Sequence, residues 1–165
     1  MADIKYMDKS KGALPAGQVS AIHCLMIPMS SEILLLPNAS IAEVIAYQEP
    51  EKGSDAVDWL LGRISWRDYR VPVVSFELVS GTDNKTGMRK GSRIAILNTL
   101  NGNSKLPYIG IVTQGIPHLQ VVQEKNIIPN TPETEQSRFI KAYVLVNGEP
   151  ASIPDIDALE KRLLL

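Results

Sequence analysis

Short apolar runs broken by polar turns dominate the chain from Ser20 onward. "SAIHCLMIPM" and "EILLLP" are separated by the polar pair Ser30-Ser31, the pattern of a hairpin. "SIAEVIAYQ", residues 40–48, could be a helical turn or a strand by spacing alone, and its β-branched content and short length favour a strand. The polar "EPEKGSDAVD" that follows reads as a surface loop.

Residues 59–79 predict a second hairpin. On its first arm Gly62, Ile64 and Trp66 share one face while Arg63, Ser65 and Arg67 share the other, because strand side chains alternate. Pro72 cannot donate to a ladder, so the second arm is expected to start at a sheet edge or a bulge. The charged pair Arg67-Asp68 falls where the arms meet, so the tip is either an ordinary solvated turn or a surface meant for contact. "RIAILNTL" and "KLPYIGIVTQGI" form a further pair turning at Asn101-Gly102-Asn103. "HLQVVQ" and "FIKAYVLVNGEPASI" supply more strands, the latter turning at Asn147-Gly148.

Only "PDIDALEKRLLL" has a helical period: Leu159 and Leu163 share a face and Lys161 and Arg162 turn away from it. Asp157, with Glu160 three residues later, has the spacing of a capping box. Many short strands with one terminal helix make the chain mainly β, a barrel or sandwich rather than a parallel α/β sheet. Residues 1–17 mix Lys, Asp, Gly and Pro and are expected to be a flexible arm, leaving one domain over 18–165.

Composition narrows the function classes. A chain of 165 residues can bury roughly 70% of its unfolded surface, so it needs no metal or disulfide staple. A net charge of -1 argues against broad capture of nucleic acid or anionic membrane. The single cysteine, Cys24, suits a reducing cytosol, and the mixed N-terminal stretch has no signal-peptide pattern, so a cytoplasmic location is expected. "AIHCLMIPM" is too short to span a bilayer.

Candidate chemistry is sparse. His23 and Cys24 are adjacent, so on a strand they face opposite ways and cannot act as base and nucleophile. His118 could approach Cys24 in space, although nothing in the sequence requires it. Two isolated histidines and one cysteine lack zinc-like spacing. "GTDNKTGMRKGS" lacks the spacing of a phosphate loop, and its Lys85, Arg89, Lys90 and Arg93 make a small basic cluster, either a solvated loop or a surface for an acidic partner. Trp59 and Trp66 suit packing, with an interface role open to either. No catalytic, metal or cofactor constellation emerges, and binding is the expected work.

"LLGRISWRDYRVPVVSFEL" resembles the signature hairpin of CheW-like domains, the adaptors that couple chemoreceptors to the histidine kinase CheA; Gly62, Arg67, Pro72, Val73 and Val74 match it. "EILLLPNASIAEVI" is similar to the family's early strand pair, with Ile41, Glu43 and Val44 in its motif, and "LPYIGIVTQGIPHLQVV" places Gly110 in the family's glycine position. "IPDIDALEKRL" resembles the closing strand and helix, so the likeness runs from about residue 19 to 163. It implies two small five-stranded β-barrels on a shared apolar core, with no catalysis. It also implies contact with the regulatory domain of a CheA-type kinase and with the cytoplasmic tip of a chemoreceptor.

Partner contact is carried by this resemblance to Glu43 and Arg67, with Asp68 beside them at the tip and Gly62 and Gly110 as strand positions where another group can approach. Asp68 stands where the family has Gly, and Ser75 and Gln114 where acidic residues are common, which would change the charge that partners meet. "CLMIPMSSEILLLPNASIAEVI" is most similar to accessory CheW-like proteins of type IV pilus chemosensory systems, the ChpC type. The competing reading is a β module holding a small molecule in the cleft between its lobes.

Overall fold

The computed structural model describes residues 21–55, 57–82, 90–134 and 136–165. The arm expected over residues 1–17, and Lys85 and Arg89 of the basic loop, lie outside them. One sheet contains β1 (Ala21–Pro28), β2 (Ile33–Pro37), β8 (His118–Gln123), β9 (Ile127–Pro129), β10 (Ile140–Val146) and β11 (Glu149–Pro154), in the order β8-β1-β2-β11-β10-β9. The other contains β3 (Ile41–Ala46), β4 (Leu60–Trp66), β5 (Tyr69–Val74), β6 (Arg93–Asn98) and β7 (Tyr108–Val112), in the order β3-β6-β7-β5-β4. Helices α1 (Phe76–Ser80) and α2 (Ile156–Leu163) follow β5 and β11.

The two sheets repeat one plan. In each, a hairpin lies parallel beside another hairpin, β11 against β2 and β5 against β7, and the strand at that junction leads into a helix. The mainly β, two-lobed architecture is as expected, with the short β9 bringing one sheet to six strands.

Successive residues of the central strands serve two different cores. Leu25 and Ile27 of β1, and Ala95 and Leu97 of β6, enter the cluster shared by the two sheets, together with Phe76 and Leu159 from the helices. Cys24 and Met26 turn to a cluster built from the first sheet alone, and Ile94 and Ile96 to one built from the second. Since neighbouring side chains point to opposite faces and both faces are covered, these strands are apolar throughout.

Three expectations change. The second arm of the 59–79 hairpin stops at Val74, and "FELVS" is helical: Ser75 caps it by accepting from the Leu78 amide, and Gly81, at φ 78°, closes it with its N–H on the Glu77 carbonyl. β5 is an interior strand, and Pro72 is accommodated because it precedes the ladder to β7, which begins at Val73↔Gly110. The cap of α2 is Asp155, which accepts from the Ala158 amide at 2.9 Å, so Asp157 is freed to accept from Asn101 at 2.6 Å and to pair with Lys161 at 3.0 Å. Those donors hold the Asp157 carboxyl below its ordinary range, the Asn101 hydrogen bond most of all.

Candidate interaction site

β4 and β5 are joined by a two-residue turn, with Trp66 opposite Tyr69 and Arg67-Asp68 between them. Tight hairpins need both turn residues at positive φ to match the twist of the strands, which favours Asn-Gly. Here the positions are held by Arg67 at φ 46° and Asp68 at φ 66°. The equivalent turn of the other lobe is Asn147-Gly148, the relaxed solution to the same geometry. An L-residue in this region costs about 1–2 kcal/mol, less for Asn and nothing comparable for Gly, so the first tip stores more strain than the second.

The tip is tied to the far edge of its own sheet. Trp66 points inward and is buried, so its indole N–H needs an acceptor, and Glu43 Oε1 on β3 provides it at 2.9 Å. The same oxygen accepts from Arg67 Nη2 at 3.0 Å. A register shift between Ile41 and Glu43 marks a bulge in β3 beside this carboxylate. β3 and β4 are the two edges of the five-stranded sheet, so these bonds draw its edges together in the manner of a small barrel.

Around this link the Arg67 guanidinium lies 4.8 Å from the Trp66 ring centre. Tyr108 meets Trp66 and Tyr69 edge to face at 4.9 and 5.0 Å. The Arg67 side chain remains 66% exposed and Glu43 40% exposed, and Tyr69 stands open to solvent beside them. Arg, Tyr and Trp in one cluster have the composition of an interface hot spot. Tyr69 and Tyr108 were missed from the sequence; the density of Trp, Arg and Tyr in "WRDYR" was the signal for Tyr69, whereas nothing local pointed to Tyr108.

Gly62 and Gly110 are buried away from that surface. A Cβ on Gly62, at φ 141°, would sit 2.5 Å from the Glu51 carbonyl oxygen, because the loop before β4 crosses it and bonds Arg63 in both directions. Arg63 is also clamped to Asp55 at 2.8 and 3.1 Å; these bonds hold the Asp55 carboxyl below its usual range. Gly110 gives room to the Ile94 and Val73 side chains at the parallel seam. In both cases the approaching group belongs to this chain. Ser75, read as a possible change in surface charge, is instead buried as the α1 cap.

The remaining candidates do not assemble a reactive centre. Cys24 is buried and its burial raises the thiol pKa, His23 is exposed on the opposite face, and His118 lies in register with Met26. Arg93 of the basic loop spends its guanidinium on the carbonyls of Gly91 and Ser92. No described helix is long and apolar enough to cross a membrane.

Comparison with known proteins follows the same lines. The family model described as the CheW-like domain matches residues 23–163. No curated protein matches by sequence. Among solved structures, the scaffolding protein TtCheW from Thermoanaerobacter tengcongensis is similar, with 19% identity, a TM-score of 0.68, and coverage of 86% of this chain and 89% of that one. At that identity the likeness is one of fold.

Proposed function

As the chain belongs to the CheW-like domain family, we propose that it is a non-catalytic adaptor linking chemoreceptors to a CheA-type histidine kinase. In this reading it engages the regulatory domain of the kinase and the cytoplasmic tip of a receptor, in the cytoplasm and without entering the membrane. The observation that carries the reading is the strained tip: an exposed arginine kept at positive φ, stacked on a buried tryptophan and braced by Glu43 from the opposite sheet edge. A solvated turn has no need of such bracing. Oε1 takes both bonds from Trp66 and Arg67, and the planar guanidinium keeps donors to offer a carboxylate in paired fashion.

Glu43, Arg67 and Asp68 form the contact surface, and Gly62 and Gly110 shape the strands behind it. The finer assignment, to an accessory adaptor of a type IV pilus chemosensory system acting in twitching motility, is supported by the resemblance over residues 24–45, and the Asp68 departure fits a divergent adaptor with its own partners. The test is a pull-down with separate kinase regulatory-domain and receptor-tip fragments. Arg67→Ala removes an exposed, ion-paired side chain, so stability should change by less than about 1 kcal/mol. Affinity for at least one fragment should fall about tenfold or more, as for a hot-spot arginine. Unchanged dissociation constants for both fragments would remove Arg67 from the surface.

A further inference from the structure

A second surface opens where the two lobes meet. A cavity of about 780 Å³ lies between the C-terminal end of α1, the segment entering β10, and α2. Two arginines frame it, each laid over a ring: Arg162 is 5.0 Å from the centre of Trp59, and Arg138 4.9 Å from that of Phe139. Among the described residues neither guanidinium meets a carboxylate. The arginines of the β4–β5 hairpin, Arg63, Arg67 and Arg70, are by contrast all ion-paired.

The hydroxyls at the cavity point to the same ligand chemistry. Ser137 Oγ already accepts from the Phe139 amide, and Tyr143 Oη accepts from the Ser137 amide. Each therefore keeps its own hydrogen to donate. Two stacked guanidinium groups and two hydroxyls line one open space, and they call for an acceptor with negative charge. Stacking also lowers the entropy lost when a ligand immobilises each guanidinium.

From this arrangement we infer that the cavity is a docking site for an acidic segment of another polypeptide, whose carboxylates take Arg138 and Arg162. The volume far exceeds that of a single small anion, and Leu78, Val79 and Trp59 supply the smaller, apolar part of its mainly polar lining, enough for a residue between the acids. Charge complementarity thus selects an acidic peptide with an apolar residue between its carboxylates. Trp59 immediately precedes β4 and Trp66 ends it, which puts them about 20 Å apart along the strand. The cavity is therefore separate from the Arg67 tip, and its occupancy does not depend on the adaptor reading.

The probe is a fluorescein-labelled peptide of alternating glutamate and leucine, titrated with the full chain and read by anisotropy. A lysine–leucine peptide of equal length should not bind. The double variant Arg138→Gln/Arg162→Gln should weaken the acidic peptide at least about tenfold, and raised salt should weaken the wild type. Tyr143→Phe keeps the ring and loses only the hydroxyl; it should weaken binding by about threefold to tenfold and stands in if the double variant does not fold. Arg67→Ala should leave peptide affinity unchanged, separating this site from the tip. Full affinity in the folded double variant, or in Tyr143→Phe if the double does not fold, would overturn the inference. So would inorganic phosphate or succinate binding as tightly as the peptide, since the site would then serve a free anion.

Discussion

Arg67 and Asp68 adopt a backbone conformation that their neighbours in the fold reserve for Asn and Gly. Asp tolerates the left-handed region better than most residues because its short side chain can bond locally, yet glycine has no Cβ to oppose it. Asp68→Gly should therefore stabilise the protein by about 1 kcal/mol, a rise of roughly 2–4 °C in a thermal melt. A fall in melting temperature would show that the carboxylate stabilises the turn by more than its strain costs. The position of the tip was legible, because the runs "GRISW" and "VPVV" leave only the polar stretch from Arg67 to Arg70 between them. The contact with Glu43 was not: Trp66 and Glu43 are 23 residues apart and meet only because the sheet curls. The pocket arginines escaped for the same reason, since Arg138 and Arg162 lie far apart in sequence and become neighbours of one cavity only in the fold.

At the scale of elements, β4 shows how a glycine that looks available to a partner can be occupied from within. The loop carrying Glu51 crosses Gly62 at backbone distance, and its two bonds to Arg63 extend the ladder past the edge of the sheet. Gly62→Ala combines a positive φ with a backbone clash and should cost about 2–3 kcal/mol, measured as a lower urea midpoint with little change in slope. Loss of far less would mean the loop can move aside. The strands were legible because their apolar runs are short, β-branched and punctuated by turn residues. Helix α1 was misread as the end of a strand because "VVSFELV" is apolar enough for either. The serine cap and closing glycine of "SFELVSG" were the better guide. In α2 the eye went to Asp157, three residues before Glu160, but Asp155 lies where the chain leaves β11 and so has the capping geometry.

For the whole molecule, the lobes are joined by more than their shared apolar cluster. Each sends a buried glutamate from its helix to the backbone of the other. Glu77 of α1 accepts from the Ser30 amide in the turn between β1 and β2, at 2.9 Å. Glu160 of α2 accepts from the Leu100 amide just beyond β6, at 3.0 Å. Glu77→Ala would orphan the Ser30 amide and should cost about 2–3 kcal/mol, with unfolding still a single transition because the shared cluster persists. Two separate transitions would show that the carboxylate, rather than the apolar contact, couples the lobes. The expectation of two lobes on one core came from the resemblance, whereas strand pattern alone left a barrel and a sandwich equally open. Reciprocal carboxylates of this kind cannot be read from sequence, where Glu77 looks like a strand position and Glu160 like one half of a capping box.

The order of strands in the six-stranded sheet also bears on biosynthesis. Its first hairpin, β1–β2, emerges from the ribosome early, but its neighbours β8 and β11 come only after every strand of the other sheet has been made. The inserted lobe can assemble as a continuous stretch, while that first hairpin waits with an uncovered apolar face. A nascent chain stalled after β7 therefore presents a finished lobe beside a sticky orphan, the kind of intermediate that chaperones hold.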